Sequence, residues 1–168
     1  MRESFEEYVS VRGDRLLRFA YVLCGDRHLA EDLVQDVLVR AHRRWSRIEA
    51  EQPDAYLRVA IVRAHLSWRR RLASTEKVTA DPPDHGGRAG DFTQRLAARD
   101  ELWALLARLP RAQRAVLVLR FYEDLDDHRI AEVLGCAPGT VRVHASRALG
   151  TLRTALSPAL TQPQGDPR

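Results

Sequence analysis

Residues 138–157 of this chain carry three arginines and no acidic residue. A helix over this segment exposes one polar and basic face, made up of Thr140, Arg142, Val143, Ser146 and Arg147. Such a face can approach duplex DNA without repulsion, and an arginine on it can pair with a guanine edge in the major groove, which is worth about 1–3 kcal/mol of discrimination. The segment therefore predicts a helix that reads DNA. The competing interpretation is a helix whose arginines are simply solvated.

The residues just before this segment are those that a tight corner between two helices requires. Gly135 stands where a helix can end in the left-handed conformation, which glycine adopts without steric cost. Pro138 suits the first turn of the helix that follows. With Ala131 four residues before Gly135 and Val141 six residues after it, the offsets match a helix-turn-helix unit. Corner, spacing and acid-free face together favour DNA binding over a plain helical corner.

A second basic patch lies in the first half of the chain, where Trp45, Tyr56 and Trp68 are interleaved with arginines. Those arginines are Arg43, Arg44, Arg47, Arg58, Arg63, Arg69, Arg70 and Arg71. Aromatic rings beside guanidinium groups suit unpaired bases, because a ring stacks on a base for about 1–3 kcal/mol while the arginines hold phosphates. Tryptophans at helical spacing are usually core residues, so this segment alone leaves both interpretations open.

The sequence lacks the spacing of a catalytic, metal-binding or cofactor-binding site. The six histidines, at positions 28, 42, 65, 85, 128 and 144, do not stand with cysteines or acids at ligand spacing, and there is no glycine-rich phosphate loop. Cys24 and Cys136 form no CxxC pair, and both are expected to be small buried apolar residues. We therefore expect no catalytic residue, no metal and no cofactor.

The composition is that of a globular chain whose charge is unevenly distributed. Of its 168 residues, 45% are hydrophobic, and the formal net charge is +4. Residues 1–39 hold five arginines and eight acids, whereas residues 40–72 hold nine arginines and three acids, a contrast that favours an anionic partner. The N-terminal MRESFEEY has acids where a secretory signal needs an apolar run, and no stretch approaches the roughly 20 apolar residues of a membrane span. We expect a cytoplasmic protein without membrane insertion.

Apolar spacing predicts helices almost throughout. We expect an all-α fold of two small helical domains, at residues 1–73 and 96–157, with a flexible linker at 74–95 and a disordered tail at 158–168. Pro82-Pro83 and Gly86-Gly87, set among polar residues, indicate the linker. The first expected helix has an apolar stripe that begins at Phe5 and is interrupted at Gly13, and the second is capped by Asp26. Further helices are expected to start at Pro53, near Leu96 and at Pro110. The last two are expected at residues 127–134 and 138–156.

Two ordered motifs resemble one known family. The stretch AEDLVQDVLVRAHRRW, followed by PDAYLRVAIVRAHLSWRRR, resembles region 2 of the extracytoplasmic-function (ECF) sigma factors of the sigma-70 family. The stretch LPRAQRAVLVLRFYEDLDDHRIAEVLGCAPGTVRVHASRALGTLR resembles region 4 of the same factors. The LSWRRR segment is similar to the actinobacterial subgroup often labelled the SigE family. The two motifs and their spacing cover most of residues 5–156.

The resemblance implies a promoter-specificity subunit of RNA polymerase, with core RNA polymerase, promoter DNA and, as in many relatives, an anti-sigma factor as partners. It implies docking on core polymerase by Asp32, Gln35, Asp36 and Arg40. It implies recognition and melting of the −10 element by the segment 46–71, with the candidate residues Tyr56, Arg58, Arg63, Trp68, Arg69 and Arg70. It implies reading of the −35 duplex by the helix at 138–152, with the candidate residues Thr140, Arg142, Val143, Ser146 and Arg147.

Three other functions compete with this one. A stand-alone helix-turn-helix regulator accounts for residues 110–156 and leaves the N-terminal half of the chain unexplained. An enzyme is disfavoured by the scattered histidines and the missing phosphate loop. A helical adaptor that binds only protein would not bind nucleic acid in a salt-sensitive manner.

Overall fold

The structure, a computed structural model, describes residues 3–50, 52–75 and 95–157, with side chains described for 3–50, 52–67 and 101–157. Over these ranges the regular elements are helical and no strand occurs. In chain order they are α1 (Phe5–Cys24), α2 (Arg27–His42), α3 (Trp45–Ile48), α4 (Pro53–Thr75), α5 (Arg95–Ala107), α6 (Arg111–Leu117), a π-helical turn (Val118–Tyr122), α7 (Asp127–Leu134) and α8 (Pro138–Leu156). Within the same ranges, none of the helices combines the length and apolarity that crossing a membrane requires.

Local sequence sets the helix starts. The Ser4 hydroxyl accepts a hydrogen bond from the Glu7 N–H at 3.1 Å, and the Glu7 carboxylate accepts one from the Ser4 N–H at 2.9 Å, so a capping box begins α1. Asp26 caps α2 as predicted, since its carboxylate accepts from the Leu29 N–H at 2.8 Å. Pro53 is the first residue of α4, also as predicted.

Helices α1 to α4 form the N-terminal unit, in which α1, α2 and α4 pack together. Trp45 is buried against Phe5 and Tyr8, whose ring centroids lie 5.3 Å and 4.9 Å from its own. Its indole N–H donates to the Glu3 carbonyl at 3.0 Å. The sequence leaves open whether this ring stacks on a base or lies in the core, and the structure places it in the core.

The carboxylate of Asp54 ties the first turn of α4 to α1. The Tyr8 hydroxyl donates to Asp54 Oδ1 at 2.5 Å, and the Arg12 guanidinium donates to Asp54 Oδ2 at 2.6 Å. Burial by itself raises the pKa of Asp54, but the hydrogen bonds and the charge of Arg12 outweigh it, so the pKa lies below its usual range. The pKa of Tyr8 is raised, first by burial and then by its bond to Asp54. The start of α4 is therefore fixed by a partly buried network.

Helices α5 to α8 and the π-helical turn form the C-terminal unit. Helix α6 packs on α8, and α7 packs on α8 and on the π-helical turn. The π-helical turn ends where the Glu123 N–H donates to the Val118 carbonyl at 3.2 Å, and Asp124 follows with a φ of 54°. The sequence pattern predicts one helix through Tyr122, so the π-helical turn is a difference from that expectation. Such turns commonly lie at functional positions in helices.

One continuous apolar core joins the two units. Helix α4 contacts α6 and α7, and α1 contacts α6. The Phe19 ring centroid lies 6.1 Å from that of Tyr122, and the buried Arg114 guanidinium lies 3.5 Å from the Leu23 carbonyl. The shared cluster includes Leu16, Ile61 and Val62 from the first unit and Val116, Leu119 and Ile130 from the second.

The helix bounds agree with the sequence in most places. The α7 and α8 bounds are the predicted ones, whereas α1 runs unbroken through Gly13 and the short α3 was not predicted. The predicted tail, and the predicted linker apart from residues 74, 75 and 95, lie outside the described residues.

Candidate nucleic-acid interface

The corner between α7 and α8 has the geometry that the sequence predicts. Gly135 adopts a left-handed conformation, with φ 68° and ψ 39°. The N–H groups of Gly135 and Cys136 both donate to the Ala131 carbonyl, which satisfies the end of α7. Pro138 begins α8, where its missing N–H leaves no donor unsatisfied. The corner therefore fixes the direction in which α8 leaves α7.

The predicted reading face of α8 is exposed. Its residues are Thr140, Arg142, Val143, Ser146 and Arg147. The opposite face, with Val141, Ala145 and Ala148, is buried in the C-terminal unit. Val143 is 46% exposed, so its apolar side chain is available to touch a thymine methyl group. The structure thus brings all five predicted residues together on one accessible face without an acid.

The predicted residues of α4 have mixed surroundings. Tyr56 is 45% exposed. Arg58 is half-buried and forms an ion pair with Glu123 of the C-terminal unit, with 2.7 Å between Nη1 and Oε2. Arg63 is exposed, yet its guanidinium donates to two backbone carbonyls of α7. The side chains of the remaining three candidates, Trp68, Arg69 and Arg70, lie outside the described ranges.

An arginine-lined cleft of about 1060 Å³ lies between the N-terminal unit and α7. Among the residues that the structure describes, its walls carry one acid, Glu132, and the exposed ring of Tyr56, together with Arg40, Arg44, Arg47, Arg63 and Arg129. Several arginines in one groove concentrate positive potential and attract phosphates. Arg44 and Arg47 belong to the basic patch that the sequence indicates, but they are not among the six residues expected to contact the −10 element. The sequence has no signal for Arg129, which reaches the cleft from the other unit.

A second exposed face lies on α2 and shares Arg40 with the cleft. Asp32, Gln35, Asp36 and Arg40 are all exposed, and their spacing of three and four residues places them on one side of the helix. Arg40 and Asp36 form an ion pair at 2.5 Å. Val39, which is 59% exposed, adds an apolar side chain at this end of α2. This mixed face is open to a protein partner.

The thiols and histidines of the described residues show no reactive cluster. No group of three or more His, Cys, Asp or Glu side chains within these residues is arranged to hold a metal ion. Cys24 is buried, and burial raises the pKa of its thiol, which makes it a poor nucleophile. Cys136 is a half-buried free thiol. The described surface offers instead an exposed helix and a basic cleft, two features that suit the binding of bases and phosphates.

Two family models match the chain, one in each unit. The model described as Sigma-70 region 2 matches residues 9–75, and the model described as Sigma-70, region 4 matches residues 99–152. The first match covers the α2 face and the whole of α4. The second covers the corner and the reading face of α8.

The chain is similar to sigma factors over most of its length. It shares 39% identity with the RNA polymerase sigma-E factor of Streptomyces avermitilis over 153 residues. The aligned region covers 90% of this chain and 84% of that one. It shares 25% identity with the ECF RNA polymerase sigma factor SigW of Bacillus subtilis, over 92% of this chain and 90% of that one. The sigma factor RpoE of Bartonella quintana, crystallised with the anti-sigma factor NepR, has the same fold, with a TM-score of 0.63 at 23% identity over 91% of this chain and 96% of that one.

Proposed function

This chain belongs to the ECF group of the sigma-70 family, in its actinobacterial SigE-like subgroup, and we propose that it is a promoter-specificity subunit of bacterial RNA polymerase. It binds core RNA polymerase and directs initiation by reading the −35 element as duplex and opening the −10 element. The observation that carries this proposal is the order of the two family matches along one chain, with an exposed acid-free helix in the second. A stand-alone helix-turn-helix regulator accounts for that second match alone.

In the −35 step, α8 enters the major groove with its first turns toward the bases. Arg142 and Arg147 donate to guanine N7 and O6, for about 1–3 kcal/mol of discrimination each. Thr140 and Ser146 bond to base edges or phosphates, and Val143 contacts a thymine methyl group. The corner at Gly135 holds this face away from the buried side of the unit.

In the −10 step, a single strand lies against α4. Tyr56 stacks on a base, and the stacking gain of about 1–3 kcal/mol offsets the few kcal/mol that unstacking the base costs. The phosphates are held by arginines of α4 and of the cleft wall. The candidate residues for this step are Tyr56, Arg58, Arg63, Trp68, Arg69 and Arg70, to which the structure adds Arg44 and Arg47.

Core polymerase docks on the α2 face, through Asp32, Gln35, Asp36 and Arg40. We assign the −10 and docking roles to a domain at residues 1–73 and the −35 role to one at residues 96–157, with 74–95 as linker and 158–168 as tail. Polymerase holds the two DNA contacts at a fixed separation, so the first contact raises the effective concentration of the second. The chain without polymerase therefore binds −35 duplex weakly and −10 duplex hardly at all.

Polymerase supplies the chemistry of RNA synthesis, so this chain contributes no catalytic residue, metal or cofactor. It acts in the cytoplasm, where core polymerase and promoter DNA are found, without membrane insertion. An anti-sigma factor is a further partner in the proposal, as NepR is for the RpoE chain of Bartonella quintana.

In-vitro transcription tests the proposal. The purified chain, mixed with core polymerase, is expected to copurify with it and to start transcripts at discrete sites on genomic fragments. Arg142→Ala should lower initiation at promoters with a −35 element by about tenfold, which corresponds to about 1.4 kcal/mol and lies within the range of one bidentate contact. Arg153→Ala is the matched control, because Arg153 is exposed on the same helix but lies about 16 Å further along its axis. A chain that neither copurifies with core polymerase nor starts any transcript overturns the proposal.

A further inference from the structure

The arginine cleft is built by both units rather than by one helix. Arg44 and Arg47 belong to α3 and its N-terminal cap, Arg63 belongs to α4, and Arg129 belongs to α7. The cleft volume of about 1060 Å³ lies close to the upper end of the range of small-molecule sites, which is about 300–1,000 Å³. The cleft therefore has the size to hold one small ligand between the two units.

The wall that carries Arg44 and Arg47 is anchored in the core. Trp45 and Ile48, the buried residues of the same short helix, hold α3 against the N-terminal unit. The Trp45 indole N–H donates to the Glu3 carbonyl at 3.0 Å. Arg44 and Arg47 are exposed on this anchored turn. A ligand that binds there therefore orders two side chains without having to order the backbone as well, which limits the entropy that is lost on binding.

Three guanidinium groups of the cleft have donors available for a ligand. Arg44 and Arg47 form no ion pair with any residue that the structure describes. Arg63 uses Nε and Nη2 to bond two carbonyls of α7, which leaves its Nη1 donors for another acceptor. The one described acid on the cleft wall, Glu132, is already paired with Arg129. A chain of phosphates matches these donors, because a guanidinium fork can bond two phosphate oxygens at once.

The α4 side of the cleft is suited to a flat ring. Tyr56, whose side chain is 45% exposed, lines the cleft together with the small apolar side chains of Val59 and Ala60. Tyr56 and Arg63 are seven residues apart, so they lie on the same face of α4 and about 10 Å apart along its axis. A sugar and a short phosphate chain can span this separation. A base that stacks on Tyr56 can therefore carry phosphates that reach Arg63.

We propose that the cleft is a binding site for a nucleoside polyphosphate, whose base stacks on Tyr56 and whose phosphates bond with Arg44, Arg47 and Arg63. The arginines attract the phosphates, and the ring selects a nucleoside polyphosphate over inorganic phosphates, since a ring stacks on any base. Such a ligand and the proposed −10 strand exclude each other because both use Tyr56 and Arg63, a consequence that rests on the proposed function.

Displacement of a fluorescent GTP analogue from the purified full chain tests the site. GTP, inorganic tripolyphosphate and guanosine are the unlabelled competitors, and the buffer contains no magnesium, so that the phosphates are free to bond with arginine. GTP is expected to compete about tenfold better than tripolyphosphate, because only GTP stacks on Tyr56. Guanosine, which lacks phosphates, is expected to compete at least about a hundredfold less well than GTP.

Arg47→Ala and Arg18→Ala form a matched pair of variants. Both remove one exposed arginine from the N-terminal unit, but Arg18 lies on α1 and does not line the cleft. Arg47→Ala is expected to weaken GTP binding by about tenfold, and Arg18→Ala by less than about twofold, since its charge is screened at a distance. Tyr56→Leu is expected to remove the advantage of GTP over tripolyphosphate and to leave the affinity for tripolyphosphate unchanged.

Glu132→Gln tests the contribution of α7, with Glu101→Gln, at an exposed position of α5 outside the cleft, as its control. Loss of the Glu132 charge releases Arg129 from its ion pair and is expected to raise the affinity for GTP by about threefold. Equal competition by GTP and tripolyphosphate, equal effects of Arg47→Ala and Arg18→Ala, or equal effects of the two glutamate variants overturns the inference. Copurification with core polymerase reports on the proposed function separately, because the displacement measurements use the free chain.

Discussion

Replacing Gly135 by alanine should destabilise the chain, whereas the same replacement at Gly150 should stabilise it. A Cβ added at either position meets no atom within 4 Å, so neither substitution causes a clash. The difference lies in the backbone, since Gly135 has a φ of +68° and Gly150 lies inside α8 with no left-handed φ. The left-handed conformation costs an L-residue about 1–2 kcal/mol, part of which is offset by the lower entropy of the unfolded chain.

The expected loss at Gly135 is therefore about 1 kcal/mol, and the expected gain at Gly150 is about 0.5–1 kcal/mol. Urea unfolding of the two variants, followed by far-UV circular dichroism, measures both changes against the same parent chain. Gly135→Asn should fall between Gly135→Ala and the parent, because asparagine tolerates the left-handed region better than alanine. Equal effects of alanine at the two positions would refute the left-handed corner, and with it the orientation of α8 on which the proposed −35 contact depends.

Four further predictions concern buried or partly buried polar groups and thiols. Tyr8→Phe should lower the free energy of unfolding by about 1 kcal/mol in urea titrations, the net worth of its bond to Asp54. Folding lowers the pKa of Asp54, so the stability that its carboxylate contributes is complete above the unfolded pKa and is lost as pH falls through the folded pKa. Asp54→Asn should therefore cost less free energy of unfolding in acid than at neutral pH. An equal cost at both pH values contradicts the network. Arg114→Met should lower the free energy of unfolding by at least about 2 kcal/mol, because two carbonyls at the end of α5 lose their charged donor. A thiol reagent followed by mass spectrometry should modify Cys136 well before Cys24, whose pKa burial raises, and equal rates in the native chain would contradict that burial.

The sequence predicts the helix-turn-helix corner accurately because its signals are local. Gly135 and Pro138 act on their own backbone angles, and Val141 and Ala145 report their burial through helical spacing alone. The same holds for Asp26, whose cap involves a backbone N–H three residues away. Where the interacting groups lie within one or two turns, residue type and spacing suffice to place them.

The contacts that join the units could not be predicted in this way. Arg58 and Glu123 lie 65 residues apart in the sequence. The residues around either one give no indication of the other as its partner. Trp45 shows the same limit, since the sequence suits both stacking on bases and burial, and the long-range contact with the Glu3 carbonyl and the Phe5 ring decides for burial. The π-helical turn was missed because it ends its helix. One extra residue in a turn rotates the apolar stripe that follows it by about 100°, and no helical residue directly follows Tyr122 to show that shift.

The polar contacts between the two units use acceptors of one chemical kind. Arg63 donates to two carbonyls and Arg58 to one carboxylate, and all three acceptors are oxygen groups that a phosphate backbone can replace one for one. Such an exchange keeps the number of hydrogen bonds nearly constant. The free energy needed to separate the two units therefore comes mainly from the loss of the apolar contacts near Phe19 and Tyr122. A lysine at either arginine position would lack the fork that spans two oxygens, and the exchange would lose its match. In the proposed −10 role, Arg58 and Arg63 therefore exchange these protein oxygens for phosphate oxygens, and their geometry suits both sets of acceptors.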